Sequence, residues 1–329
     1  MIEEKNVLTE DKSPKKIFSK KNILLIVGPT AVGKTDCAIQ LAKRLNGEII
    51  SADSMQIYKE MDIGTAKVTK NEQDGVKHHL IDIITPDTDF SVAEFQKLAF
   101  DLIDDIHKRG KLPIISGGTG LYINSILYDM DFNKTYSDSS FRNQLAKECS
   151  EKGKVFLHDK LTKIDPKAAK RIHPNNVKRV IRALEINHIN KSNMRDFSTD
   201  IKLNSKYNPI LIGLIRDRAT LYERINLRVD LMIQQGLLEE VQNLLAQGYS
   251  KELTSLQALG YKEIVDYLNG KFDLEEMIEI LKQSTRRYAK RQLTWFNRYS
   301  KIEFFDVGQY TKSIYLTNDI IKFIKQIKN

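Results

Sequence analysis

The sequence predicts an α/β fold in which a parallel sheet core is interrupted by an all-helical domain and followed by a helical C-terminal region. Through the first 130 of its 329 residues, short apolar runs alternate with helical periodicity, as in a parallel sheet covered by helices. From 141 to 190 only helical periodicity remains. An apolar strand pattern returns at PILIGLI, 209–215. The helical block is therefore predicted to be an insertion into the core and not a second tandem domain.

Each predicted strand is a short run of apolar residues followed by a polar or glycine-containing turn. The strands are predicted at ILLIV (23–27), EIISAD (48–53), HHLIDII (78–84), LPIIS (112–116) and PILIGLI. Helices are predicted for 35–46, ended by Gly47, for 92–109 and for most of 221–296. The predicted domains are a disordered or frayed leader (1–20), a core with C-terminal helices (21–130 and 206–329) and the helical insertion (131–205).

Composition and charge limit the possible class of protein. Apolar residues make up 41% and charged residues 29%, an ordinary globular balance, and no apolar run approaches the roughly 18–20 residues of a membrane span. The leader lacks the features of a signal or transit peptide, so we expect a cytoplasmic protein, by default a monomer. Cys37 and Cys149 stand far apart without a partner motif, which argues against disulfides and cysteine-based zinc sites. The net charge of +9 permits an anionic macromolecular partner.

The stretch GPTAVGKT, residues 28–35, fits the P-loop pattern G-x-x-x-x-G-K-[ST]. Glycines let backbone N–H groups surround phosphate oxygens, and the following helix adds the positive end of its dipole. Lys34 adds a full charge, and the Thr35 hydroxyl suits Mg²⁺. The core is therefore predicted to be P-loop NTPase-like. The predicted phosphate-binding residues are Gly28, Pro29, Thr30, Ala31, Val32, Gly33, Lys34 and Thr35.

The carboxylate that follows the second predicted strand is the best candidate for chemistry beside this loop. An ordinary P-loop NTPase needs an aspartate after a buried strand to hold Mg²⁺, but LPIIS ends in Ser116 and two glycines. Asp53 ends the second strand and is predicted to be a general base or a carboxylate that faces the metal. The alternative is a structural role, as the N-cap of a helix over SMQIYKE (54–60).

Seven segments together resemble one family, the tRNA dimethylallyltransferases, also called tRNA isopentenyltransferases of the bacterial type. They are GPTAVGKT, SADSMQIYKEMDIGTAK (51–67), HHLID (78–82), ISGGTGLYI (115–123), DPKAAKRIHPNNVKRVIRALEI (165–186), LQALGYKEI (256–264) and TRRYAKRQLTWF (285–296). They follow the family's order and span nearly all of the chain after the leader. The P-loop alone is weak evidence, whereas DSMQIYKEMDIGTAK with GGTGLY and HPNNVKR is highly specific.

The resemblance implies transfer of a dimethylallyl group from dimethylallyl diphosphate to N6 of the adenine just 3′ of a tRNA anticodon. It also implies a Mg²⁺ requirement, Asp53 as the base, and Lys34 and Thr35 as catalytic residues on the diphosphate. A helical insertion would grip the anticodon arm. Carried over by motif, the tRNA-binding residues are Asp53, Ser54, Met55, Gln56, Thr119, Arg142, Lys178, Arg179, Val180, Ile181, Arg182, Gln257, Ala258, Leu259, Gly260, Tyr261 and Lys262.

Three basic segments keep two interpretations each. Lys178 and Arg182 are four apart and would share a helix face along a phosphate backbone, or they are a solvated face over a core stripe. Arg287 and Arg291 are also four apart among aromatic residues, which suits RNA binding, or the helix packs its aromatics while its basic residues stay in water. Arg224 is a second candidate diphosphate contact, or it forms a surface salt bridge with Glu223 or a neighbour.

Other functions also stay open at the level of the sequence. A P-loop kinase could use Asp53 to activate an acceptor hydroxyl, with the helical block as a lid. An adenylate isopentenyltransferase would prenylate free AMP or ATP, and a basic RNA-binding protein could retain a vestigial P-loop. The basic helices favour a macromolecular acceptor over a free nucleotide.

Overall fold

The computed structural model describes residues 21–130, 138–190 and 202–327, and the predicted leader, 1–20, lies outside them. These residues form two compact units. The sheet unit comprises the described residues up to 91, 95–123 and those from 205 onwards. The helical unit comprises 92–94 and the described residues between 124 and 204. None of the helices in these ranges is long and apolar enough to span a membrane.

Six parallel strands form the sheet, in the spatial order β3-β2-β4-β1-β5-β6. They are β1 (Asn22–Val27), β2 (Gly47–Ser51), β3 (His78–His79), β4 (Leu112–Gly117), β5 (Asn208–Ile215) and β6 (Ile302–Asp306). Every residue of β1 is buried, because both of its neighbours, β4 and β5, are also strands of the core. This explains the continuous apolar run ILLIV, since a central parallel strand is covered on both faces.

Eleven α-helices are present in the described ranges. They are α1 (Lys34–Leu45), α2 (Val92–Lys108), α3 (Gly120–Leu127), α4 (Ser139–Ile164), α5 (Pro166–Arg171), α6 (Val177–Asn190), α7 (Arg218–Gln234), α8 (Leu237–Ala246), α9 (Tyr261–Leu268), α10 (Leu274–Phe296) and α11 (Ser313–Gln326). One apolar core joins α1 and α11 to the sheet. A second core packs α7, α8, α9 and α10 around Ile57, Tyr58 and Met61.

Three details of the predicted core are wrong. The strand predicted over 78–84 has only two residues, because Leu80 and Asp82 adopt positive φ angles of 60° and 56° that a strand cannot contain. Asn46, with φ 51°, ends α1 in the left-handed conformation, while Gly47 begins β2. The edge strand β6 is absent from the strands predicted from the sequence, because IEFFD is short and its alternation of apolar and polar residues is weak.

The helical unit has its own core, built from one face of each of its helices. Gly153, with φ 85° and ψ 163°, breaks α4 into two segments. Asp165 then accepts the N–H of Ala168 and caps α5, with Pro166 in the first turn. The helical periodicity predicted over 141–190 is confirmed, since α4, α5 and α6 cover most of these residues.

Candidate active site

The P-loop connects the carboxyl end of β1 to the first turn of α1. A Cβ atom on Gly28 would lie 2.5 Å from the carbonyl oxygen of Leu214, so the close approach of β5 requires glycine there. Gly33 has φ 111° and precedes Lys34, the first residue of α1. The loop therefore presents backbone N–H groups and a helix N-terminus, the arrangement that binds phosphate. Pro29, Ala31 and Val32 are buried, so only their backbone atoms are suited to contact a diphosphate.

Side chains from α7 and α10 hold the P-loop in place. Gln292 is 6% exposed; its Oε1 accepts the N–H of Thr30 at 2.9 Å, and its Nε2 donates to the carbonyl of Gly118 at 3.0 Å. Arg224 Nε donates to the carbonyl of Ala31 at 2.9 Å. The alternative of a surface salt bridge to Glu223 is therefore replaced by a contact with the phosphate-binding loop itself.

Asp53 follows β2, at the same edge of the sheet as the P-loop, because the carboxyl ends of parallel strands meet there. Its Oδ1 accepts the N–H of Met55 at 3.0 Å. Residues 54–60 form turns and contain no helix, so the interpretation of Asp53 as a helix N-cap is wrong.

A cavity of about 100 Å³ brings Lys34, Thr35, Asp53, Arg228 and Tyr288 together. The sequence predicted three of these five and placed them on separate segments, at the P-loop and after the second strand. The cavity thus combines a cationic side, next to the helix N-terminus, with one carboxylate. A bound anionic group and a proton acceptor can therefore lie within one small volume.

Burial and mutual charge shift the pKa values of these groups. Burial lowers the pKa of Lys34 to about 7, and the positive charge of Arg228 contributes to this shift. The negative charge of Asp53 acts in the opposite direction and raises the pKa. Burial raises the pKa of Asp53 above its ordinary value, against hydrogen bonding from Met55 and the charge of Lys34. Burial also lowers the pKa of Arg228, and Arg224 adds to that effect. An anion bound here would relieve the repulsion among the three cations.

We expect the affinity for inorganic diphosphate to weaken as pH rises above about 7. Because the pKa of Lys34 is lowered to about 7 in the free protein, binding above that pH must return a proton to the amine. The dissociation constant should then rise by up to about tenfold per pH unit. Calorimetric titration between pH 6 and 9 measures it, with Lys34→Arg as the matched control because arginine stays charged. If the dissociation constant for diphosphate changed equally with pH in both proteins, the pH dependence would not come from Lys34, which would contradict this prediction.

A larger cavity of about 330 Å³ also lies within the sheet unit and shares Asp53 and Tyr288 with the smaller one. Its walls include Ser54, Met55 and Arg291, whose guanidinium lies 5.6 Å from the centre of the Tyr288 ring. Four residues of the predicted segment LQALGYKEI also line it: Ala258, Leu259, Gly260 and Tyr261. Thr119 accepts the N–H of Ser54 at 3.0 Å through its Oγ1, which places GGTGLY beside the segment DSMQ.

The remaining predicted RNA-binding residues of the sheet unit do not line the larger cavity. Gln257, Lys262 and Arg287 are exposed, and Gln56 lines only the smaller cavity. Gln257 Nε2 donates to the carbonyl of Lys251 at 2.8 Å. The predicted RNA contacts of these residues stay predictions.

In the helical unit, two of the predicted RNA-binding arginines share a buried partner. Arg142 Nε lies 2.8 Å from Glu185 Oε1, and Arg182 Nη1 lies 2.5 Å from Glu185 Oε2. The side chain of Glu185 is 0% exposed, so both arginines neutralise a charge that the fold has buried. Lys178 and Arg179 are exposed on the same helix, α6.

The hydrophobic members of KRVIR belong to the core of the helical unit. Val180 is 1% exposed, and Ile181 is half-buried against the same cluster. This agrees with the interpretation of a core stripe under a solvated basic face. The side chain of Val180 is therefore not available to RNA, and its predicted contact stays a prediction that only its backbone could make.

Sequence reasoning missed three residues of the candidate site, Arg228, Tyr288 and Gln292. Arg228 lies four residues after Arg224 on α7, so the helical period could have placed it on the same face. Gln292 carried no such signal, since a glutamine in a basic helix resembles a surface residue until the helix is packed against the P-loop.

Comparison with known proteins supports the family resemblance. The family model for IPP transferase matches residues 56–299. A tRNA dimethylallyltransferase of Alkaliphilus metalliredigens is 60% identical over 89% of this chain and 94% of its own length. One from Clostridioides difficile is 54% identical over 94% of this chain and 99% of its own length.

Solved structures give the same result. The tRNA isopentenylpyrophosphate transferase of Bacillus halodurans has a TM-score of 0.69 at 48% identity, covering 94% of this chain and 98% of its own. A eukaryotic dimethylallyltransferase acting on tRNA has a TM-score of 0.76 at 29% identity, covering 92% of this chain and 80% of its own. The family that the sequence motifs resemble is confirmed, and the chain belongs to the IPP transferase family.

Proposed function

We propose that this protein transfers a dimethylallyl group from dimethylallyl diphosphate to N6 of adenine 37 of tRNA, just 3′ of the anticodon, and releases diphosphate. One observation carries the proposal beyond family membership. Lys34 of the P-loop and Asp53 line the same cavity, so a phosphate-binding loop and a proton acceptor are within reach of one reacting centre.

The first half of the proposed reaction is departure of diphosphate from an allylic carbon. The C1–O bond breaks, and its electron pair leaves with the diphosphate, so negative charge develops on the oxygens that the P-loop surrounds. Backbone N–H groups of 28–35, Lys34 and Arg228 would stabilise that charge. Arg224 would act on the backbone of the loop and, through its charge, on the diphosphate.

Magnesium is proposed as the metal, and the residues present fit it. Mg²⁺ is usually bound by one or two protein groups together with substrate phosphates and water, and Thr35 lines the cavity beside Asp53. Within the described ranges, no group of three or more His, Cys, Asp or Glu side chains could hold a metal by itself. When bound, the ion would neutralise charge on the leaving diphosphate.

The second half of the proposed reaction forms the bond between N6 of adenine and C1 of the allyl group. A proton must leave N6, and Asp53 would accept it. Burial raises the pKa of Asp53, which makes its carboxylate a stronger base than an exposed aspartate. An adenine must leave its stack to reach a cavity, which is easier in a single-stranded loop.

The exposed pair Lys178 and Arg179 provides the cleanest test of tRNA binding by the helical unit. Changing both to alanine should weaken tRNA binding and reduce the slope of log K against log salt by roughly 0.7–0.9 for each lost phosphate contact. Arg182 is unsuitable for this test because its replacement would remove one of the two arginines that neutralise the buried Glu185. Lys322→Ala with Lys325→Ala, two exposed lysines of α11, is the matched control. An unchanged slope in the first pair would favour the solvated-face interpretation.

A transfer assay tests the proposed function against its alternatives. Purified protein is incubated with Mg²⁺, unmodified tRNA and dimethylallyl diphosphate labelled in the allyl group. Label in tRNA supports the proposal. Label in AMP or ATP but not in tRNA would indicate an adenylate isopentenyltransferase, and transfer of the γ-phosphate of ATP would indicate a kinase. We also propose a cytoplasmic location and a monomeric state. Size-exclusion chromatography with light scattering tests the monomeric state.

A further inference from the structure

One carboxylate outside the catalytic cavity organises the segment that walls it. Glu240 lies in the first turn of α8. Its Oε2 accepts the N–H groups of Asp62 and Ile63, both at 2.8 Å. Its Oε1 accepts the N–H of Gly64 at 3.1 Å and the hydroxyl of Tyr261 at 2.6 Å. We call Glu240, Tyr261 and residues 62–64 the loop clamp.

The clamp satisfies backbone groups that have no other regular partner. Residues 62–64 belong to no helix or strand, so their N–H groups lack the ladder that secondary structure supplies. Hydrogen bonds to an ionised acceptor are stronger than neutral ones. A single carboxylate therefore fixes three consecutive amides at one position.

Tyr261 closes the clamp from the other side. It is 0% exposed, and burial together with the negative charge of Glu240 raises the pKa of its hydroxyl, so it stays a neutral donor. A Cβ atom on Gly64 would lie 2.5 Å from Tyr261 Cε2. Glycine at 64 is therefore required by the ring that lies against it, and the clamp joins the segment MDIGTAK to LQALGYKEI.

The clamped segment continues directly into the wall of the candidate site. Gln56 Nε2 donates hydrogen bonds to the carbonyls of Thr65 and Ala66, both at 3.3 Å. Its Oε1 accepts a hydrogen bond from Ser51 Oγ at 3.0 Å. Gly64, Thr65 and Ala66 line the 330 Å³ cavity together with Asp53. The position of 62–66 thus sets one wall of the space in which Asp53 acts.

We propose that Glu240 is a positioning residue for prenyl transfer, acting through residues 62–66 on the geometry around Asp53. This inference rests on the proposed function. Thr65 and Ala66 also line the 100 Å³ cavity, but the backbone of the P-loop is held independently of the clamp, by Gln292 and Arg224. The contacts of the P-loop with diphosphate should therefore persist when the clamp is lost. A catalytic group displaced by about 1 Å can lose about 10²-fold in rate, and we expect a loss in the range of roughly 10- to 100-fold.

Glu240→Gln is the principal test, because glutamine keeps the size of the side chain but offers only one accepting oxygen. At least one of the three backbone N–H groups then faces an amide NH₂. We expect the single-turnover transfer rate to fall by roughly 10- to 100-fold, with the dissociation constant for inorganic diphosphate unchanged. Hydrogen exchange at the amides of 62–64 should accelerate. Glu239→Gln, an exposed neighbour in the same helical turn, is the matched control for charge.

Tyr261→Phe provides a second variant that keeps the packed ring and removes only the hydroxyl. Because the hydroxyl acts through the Glu240 carboxylate, the double variant should be no slower than Glu240→Gln alone, a coupling that independent effects would lack. A wild-type rate in Glu240→Gln, an equal loss in Glu239→Gln, additive losses in the double variant, or loss of diphosphate binding would each overturn the proposal. Absence of transfer by the wild-type protein would instead overturn the proposed function and, with it, the catalytic role of the clamp.

Discussion

Replacement of Asp53 by asparagine is expected to lower the rate of prenyl transfer by about 10²- to 10⁴-fold, the usual contribution of a general base. Asparagine retains an oxygen that can accept the N–H of Met55, the bond that Asp53 makes at 3.0 Å. The local turn, diphosphate binding and tRNA binding should therefore survive. Single-turnover transfer at saturating substrates measures the effect without interference from product release.

The pH profile gives the same prediction a second readout. Burial raises the pKa of Asp53, so the wild-type rate should fall as pH drops through a value above the ordinary aspartate pKa of about 4. That acid limb should be absent in Asp53→Asn. Asp101→Asn, at an exposed position of α2, controls for loss of one carboxylate. Retention of most of the rate by Asp53→Asn would remove Asp53 from the role of base.

Replacement of Lys34 by methionine is expected to lower kcat/KM for dimethylallyl diphosphate by about 10²- to 10³-fold, the typical cost of removing one donor from a site of developing charge. Lys34 begins α1 and lines the cavity that contains Asp53. Its charge would matter most as the diphosphate leaves, so kcat should fall together with kcat/KM. Steady-state kinetics at fixed tRNA concentration measure both constants.

The controls for this second prediction separate charge from folding. Lys34 Nζ donates to the carbonyl of Pro29 at 2.7 Å, so thermal unfolding must show that the P-loop tolerates its loss. Lys97→Met, at an exposed position of α2, is the matched substitution. A change in KM alone, with kcat preserved, would mean that Lys34 stabilises the bound substrate and the transition state equally.

The sequence predicted most of the sheet and the neighbourhood of Lys34 and Asp53 because both depend on local rules. A buried parallel strand has a recognisable apolar run, a P-loop has a fixed spacing, and strand ends meet at one edge of a parallel sheet. The tRNA dimethylallyltransferase motifs gave the family, which the comparisons confirm. Patterns within short stretches of the sequence were sufficient for each of these predictions.

Features that depend on tertiary contacts could not be predicted. The role of Gln292 depends on α10 passing the P-loop, and that of Glu240 depends on α8 facing residues 62–64. Glu185 resembles an ordinary helical glutamate until its burial beside Arg142 and Arg182 is known. Strand β6 is recognisable only by its parallel pairing with β5. In each case, the partner comes from a part of the chain that no local pattern specifies.

The most direct measurement of the central claim is the fate of both halves of dimethylallyl diphosphate in one reaction. The account predicts that each diphosphate released is matched by one dimethylallyl group on N6 of the adenine just 3′ of the anticodon, identified by nuclease digestion and mass spectrometry. A tRNA with guanine at that position should not react, and Asp53→Asn should form both products about 10²- to 10⁴-fold more slowly. Release of diphosphate without prenylated tRNA, or prenylation at another nucleotide, would contradict the account.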